Sequence, residues 1–214
     1  MLSNSPINLI QTELFSMKQI TFKQYRNIDL TILCILTAVF EAIAAMASDK
    51  WFNLQAMTVS ITLALTCITF MRWSLYALFP SFIGAFVYCT VIGGTLHQYL
   101  IYCGGSLFII IAFPLLQKIT KEKVRKDFFF KLVFACSVYV SLTAGRWYFS
   151  LPFEFSFKTF LTFLGTDILS LLFAIVVLGV AKNIDGLIED QKSYLLRLEK
   201  ERKEEQEANL NDPF

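Results

Sequence analysis

Residues 157–181 read FKTFLTFLGTDILSLLFAIVVLGVA, a run of apolar side chains interrupted by only two charges, Lys158 and Asp167. At ~1.5 Å of rise per residue a helix of that length exceeds the ~30 Å of a bilayer's hydrocarbon. Comparable runs lie at 29–48, 54–71, 73–92, 98–117 and 128–149. They are too long and too uniformly apolar for alternating barrel strands, and backbone groups in lipid must be satisfied within their own segment. The reading is therefore an all-α polytopic membrane protein with six transmembrane helices.

Composition agrees. Of 214 residues 56% are hydrophobic and 17% charged, with 22 Phe and a mean hydropathy of +0.57, which excludes an ordinary soluble domain. The net charge of +2 conceals clusters near the start, around 118–131 and after 182. Such clusters at the ends of apolar runs are a topology signal, so nucleic acid is not among the expected partners. With the N-terminus inside, nearly all Lys and Arg fall on the inner side, including Arg72, Lys118, Lys121, Lys123, Arg125, Lys126 and Lys182. Lys50, Arg146 and Lys158 fall outside or near the outer face. An even number of spans then places both ends in the cytoplasm, N-in and C-in.

Three segments follow: 1–27, cytoplasmic or interfacial; 28–182, the six-helix transmembrane domain; and 183–214, a charged cytoplasmic helix and tail. Ser5-Pro6 followed by Leu9, Ile10, Leu14, Phe15 and Met17 predicts a short interfacial helix, and no basic n-region marks a cleavable signal. The sixth span is expected to continue as an amphipathic helix with Ile184, Leu187, Ile188, Leu195 and Leu198 on one stripe, fraying after Glu204. Pro80 is expected to kink the third span, and Gly93-Gly94 and Leu151-Pro152 mark outer turns.

Enzyme motifs are missing: there is no P-loop, GxSxG or HExxH, so no catalytic residue and no cofactor is expected. The five cysteines stand singly and read as buried thiols rather than metal ligands. Charge placed where charge is costly is more informative. Glu41 and Asp167 lie near mid-depth, and Arg146 about one turn from the outer end of its span. On straight helices Asp167 and Arg146 differ in depth by roughly 10 Å, so a direct bridge needs a bent helix or a water. Glu154 is the nearer partner in sequence. Around Arg146 stand Tyr139, Trp147 and Tyr148, and the turn before the fourth span offers His97, Gln98 and Tyr102. Rings with one cation and a few amides or hydroxyls suit a planar, partly anionic small molecule, although the same residues also suit an aromatic belt at the lipid interface. On the first span, small residues Ala38, Ala42 and Ala45 allow close approach of another helix.

Together these features resemble the substrate-binding S component of an energy-coupling factor (ECF) vitamin transporter. The resemblance lies in the Ala38–Ala42 AxxxA motif, in Arg72-Trp73 through Pro80, in Gly84-Ala85, Gly93-Gly94-Thr95, Gln98 to Tyr102 and Gly104, and in Asp185 to Arg197, and it extends over about 25–200. It implies a vitamin or related micronutrient bound near the outer face, with Arg146, Trp147, Tyr148, Tyr139, Asp167, Tyr102, His97 and Gln98 as pocket residues. It also implies docking of Ala38, Ala42 and Ala45 on a transmembrane coupling subunit that engages two cytoplasmic ATPases, in a bacterial plasma membrane. Glu41 departs from the pattern, since a charge inside AxxxA must point inward or displace the docking face. Two other readings stand beside it: a membrane scaffold acting through the helix after Lys182, and a proton-coupled carrier using Glu41 and Asp167.

Overall fold

The computed structural model describes residues 22–51, 58–114, 121–153, 156–184 and 187–211. Every regular element among them is helical. Helix α1 is Phe22–Trp51, α2 is Thr62–Trp73 and α3 is Leu78–Val91, with a 3-10 turn at Ser74–Ala77. Helix α4, Leu96–Ser106, continues as a 3-10 stretch at Leu107–Ala112. After these come α5 (Lys121–Lys126), α6 (Phe128–Ser150), α7 (Phe157–Thr166), α8 (Ile168–Ala181) and α9 (Gln191–Asn211).

Three stretches are long and apolar enough to cross a membrane: Phe22–Ser48, Thr62–Val91 and Phe128–Ser150. A fourth is obtained if α7 and α8, bent by 44° at their junction, are one span, and Leu96–Ala112 is apolar but shorter. The Thr62–Val91 stretch is not straight. Ser74 takes a left-handed φ of 54° and its N–H caps the Phe70 carbonyl. A straight helix would hold Thr62 and Gly84 on the order of 33 Å apart. Instead a Cβ on Gly84 would collide with the Thr62 side chain, so α3 folds back along α2.

The chain presents its apolar residues on two sides. Phe70, Met71, Ile109, Phe134, Val138 and Leu178 are buried among α2, α4's 3-10 extension, α6 and α8. Ile28, Ile32, Ile35, Val39, Ile43 and Met46 lie exposed along α1, as do Leu172, Val176 and Val180 on α8. Contiguous apolar faces of this extent belong to a surface whose solvent is lipid. Helices α4 and α6 meet closely at Gly105, where a Cβ would come within 2.7 Å of the Arg146 backbone nitrogen, and this contact sets the position of Arg146.

One end of the bundle is charged. Arg72 grips Asp29 of α1 through Nη2 at 2.8 Å and Nε at 3.0 Å, Arg125 pairs with Glu189 at 3.0 Å, and Lys121 pairs with Asp190 at 2.6 Å. Arg197 joins Glu189, and the Tyr25 hydroxyl donates to Gln191 Oε1.

Several expectations need correction. The second run begins its helix at Thr62 rather than 54; residues 58–61 are non-helical, and 52–57 lie outside the described residues. Pro80 sits in the first turn of α3, where its missing N–H costs no helical bond. The sixth run is broken at Asp167. Its C-terminal end does not continue as one helix: the chain turns after Ala181, and α9 starts afresh at Gln191, where Asp190 Oδ1 accepts from the Lys192 and Ser193 N–H groups. Helix α9 also persists past Glu204 to Asn211. The interfacial helix expected before Phe22 and the partner role of Glu154 fall outside the described residues.

Candidate functional site: a polar chamber between broken helices

Helix α1 turns Thr37, Glu41, Ala44, Ala45 and Ser48 into the bundle at helical spacing. Glu41 is 1% exposed, so it points inward and puts no charge on the outer face of α1. Its Oε2 accepts the Ser60 hydroxyl, the Ile61 N–H and the Thr62 N–H, each at 2.9 Å. The two N–H groups belong to the start of α2, whose own N-cap, Ile61, has no side-chain acceptor. Glu41 therefore caps a helix that begins inside the bundle, supplying from α1 the acceptor that Ser, Thr or Asp would supply locally.

The non-helical segment before α2 is satisfied by its neighbours on both sides. Thr58 N–H donates to the Thr166 carbonyl at 2.9 Å, Val59 N–H to Ser48 Oγ at 3.0 Å and Ser60 N–H to Ser170 Oγ at 2.8 Å. The Thr58 hydroxyl bonds the Asp167 carboxylate. Two interruptions, one before α2 and one between α7 and α8, thus meet and complete each other's hydrogen bonds. Irregular backbone buried in a bundle is accommodated in this way.

From α6, Arg146 forms an ion pair with Asp167. The 44° bend supplies the geometry that straight helices deny, bringing the two side chains into direct contact. The guanidinium carbon lies 4.6 Å from the centre of the Tyr102 ring, and Tyr102 packs 5.2 Å from Tyr88. The Tyr139 hydroxyl donates to the Leu164 carbonyl, freed where α7 ends.

These groups line a chamber of about 40 Å³. Glu41, Ser60, Thr62, Arg146, Asp167 and the tyrosines Tyr88, Tyr102 and Tyr139 all line it. A chamber of that size holds about three waters at ~10–15 Å³ each. Among the described residues no group of three or more His, Cys, Asp or Glu is placed to hold a metal ion.

Of the residues singled out from sequence, Arg146, Asp167, Tyr139 and Tyr102 come together on this chamber. The other four lie elsewhere. Trp147 donates its indole N–H to the Ser156 carbonyl and packs on Phe160, while Tyr148 is 56% exposed beside Phe108. His97 packs on Phe153 at 4.4 Å, and Gln98 Oε1 accepts the Thr95 N–H at 2.7 Å in a capping box that starts α4. Ala38 and Ala42 are half-buried on α1, whereas Ala45 is buried against Tyr88 and Cys89 inside the bundle. The chamber also recruits Thr58, Ser60, Thr62, Tyr88 and Ser170, none of them predicted. The alternating hydroxyls of Thr58-Val59-Ser60-Ile61-Thr62 were the signal available for that wall.

A second, open cleft of about 780 Å³ lies at the charged end between α5 and the start of α9. Its cations Lys121, Arg125 and Arg197 are paired with Asp190 and Glu189. Burial pushes the Asp190 carboxyl up, but the Lys121 ammonium and the N–H groups of Ser193 and Lys192 outweigh it and hold the group below its ordinary value.

No family model, curated protein or solved structure matches this chain.

Proposed function

We propose that this chain is the substrate-binding integral membrane subunit of an ATP-driven importer of the energy-coupling factor type, taking up a vitamin or related micronutrient. The observation that carries the reading is the chamber. A cation and two acids, costly in hydrocarbon, line a small polar hollow between interrupted helices instead of facing lipid. Many transporter folds build their solute sites from discontinuous helices around a buried polar region.

In this proposal the chain crosses the bilayer six times, with α2 and α3 as separate spans and α7 and α8 together forming the last. The end bearing Arg72, Lys121 and Arg125 faces the cytoplasm. A chamber of about 40 Å³ is smaller than a vitamin, so a solute of that size has to widen it on entry. Solute entry separates α4 and α6 from the α7–α8 elbow and replaces part of the Arg146–Asp167 contact. ATP hydrolysis by two cytoplasmic partners, reached through a transmembrane coupling subunit docked on the Ala38 and Ala42 face, then exchanges the high- and low-affinity states.

The test is mass spectrometry of small molecules released on denaturing the full chain purified from its native membranes. A vitamin-sized compound present in stoichiometric amount is the expected result. An empty protein, with uptake that persists when the ATPases are removed, would overturn the proposal.

A further inference from the structure

At the charged end most cations are paired with carboxylates: Arg72 with Asp29, Lys121 with Asp190, and Arg125 and Arg197 with Glu189. Lys23 and Arg26 of α1 differ, since neither has an ion pair among the described residues. Three positions apart, they are neighbours on the helix surface. The nearest acid along α1, Asp29, is held by Arg72 at 2.8 and 3.0 Å and by the Trp73 indole N–H. This corner of the bundle therefore carries two positive charges that the described residues leave unanswered.

Arg26 is also held in a defined pose. Its guanidinium carbon lies 4.5 Å from the centre of the Tyr76 ring, in the 3-10 turn that joins α2 to α3. Its Nε is buried there, so the two terminal nitrogens are the donors left open to a partner. Tyr76 in turn stacks on Phe79, with ring centres 6.3 Å apart and 22° between the planes. Phe79, Phe82 and Phe86 follow one another on a single face of α3, and all three are exposed, as is Tyr76. A planar cation thus stands at the head of a row of exposed rings that runs along α3 away from the charged end. A soluble anion would match the cation and leave the rings bare, whereas a phospholipid matches both, phosphate beside guanidinium and acyl chain beside rings.

We infer that Lys23 and Arg26 bind the phosphate of an anionic phospholipid, with an acyl chain laid along Phe79, Phe82 and Phe86. Two cations facing one phosphate favour a lipid of net negative charge over a zwitterionic one, whose own ammonium group they would repel. The site lies on the outside of the bundle, apart from the chamber, and requires only that the bundle sits in lipid. It therefore stands or falls independently of the importer reading.

Native mass spectrometry of the full chain tests this, with the protein released from detergent micelles that hold equal amounts of phosphatidylglycerol and phosphatidylcholine of the same acyl chains. Phosphatidylglycerol should be retained in preference to phosphatidylcholine by about fivefold or more, the effect of a cation beside a charged headgroup. Arg26→Gln should cut that preference about fivefold. Arg26→Lys, which keeps the charge but loses the flat contact with Tyr76, should fall between it and the parent. Lys23→Gln, at an exposed position that folding does not depend on, should cut the preference about twofold. Lys158→Gln, an exposed cation of the other end, should leave it unchanged. Excess glycerol phosphate should not displace the lipid; displacement would make the ligand a soluble phosphate and overturn the lipid assignment. Equal retention of the two lipids by the parent protein, or a preference unchanged in Arg26→Gln, would overturn the inference.

Discussion

The charged end and the chamber use the same chemistry in different surroundings. At the charged end Lys121 and Asp190 keep 22% and 34% of their side-chain surface beside a cleft of about 780 Å³. In the chamber Arg146 and Asp167 keep 16% and 11% and share about 40 Å³ with hydroxyls and tyrosines. Water and salt reach the Lys121–Asp190 pair and screen it, so it contributes ~0–1 kcal/mol. In the second, removing one partner strands a charge that little water can reach. The difference separates ion pairs that organise an end of the bundle from one on which the bundle's interior depends.

The largest expected effect breaks that contrast if it fails. Arg146→Ala should destabilise the protein by about 3–5 kcal/mol, read from unfolding midpoints in detergent, because Asp167 is left unpaired. Pairing Arg146→Met with Asp167→Leu should recover most of the loss. A single-variant cost below ~1 kcal/mol would mean that the chamber pair is as well solvated as the charged end.

A smaller effect sharpens the other side. Lys121→Ala should cost no more than ~1 kcal/mol and should cost less still in 1 M salt. The pH dependence has a definite sign. Asp190 is held below its ordinary value of 3.8, so its contribution is present above that pH and is lost as the pH falls through the lower, folded value. Comparison of the acid unfolding of Lys121→Ala with that of the parent protein isolates this contribution: the variant should lose less stability between pH 4 and pH 2.

Much of this was legible from residues alone. The apolar runs and the positions of Glu41, Arg146 and Asp167 stand out because ionisable groups are rare in such runs. The choice of Trp147 and Tyr148 failed to respect helical periodicity. Neighbours in sequence point away from one another on a helix, whereas Tyr139, Leu142, Thr143 and Arg146 repeat at i, i+3, i+4 and i+7 and share the chamber wall. The interruptions were harder to see. Asp167 has no proline beside it, and the start of α2 depends on an acceptor 21 positions earlier in the chain. A cap supplied from another helix leaves no local trace, so Thr58, Ser60 and Ser170 looked like ordinary hydroxyls within spans.

The central claim is that the charges inside the bundle line a receiving site rather than merely holding helices together. Equilibrium binding of the compound retained by the purified protein, compared between the parent, Arg146→Lys and Tyr148→Phe in nanodiscs, tests it most directly. Lysine keeps the charge opposite Asp167 but loses the planar fork, so the account predicts at least a tenfold weaker affinity for Arg146→Lys and no change for Tyr148→Phe. Equal affinity in all three proteins would contradict it and leave the Arg146–Asp167 pair as a purely structural brace.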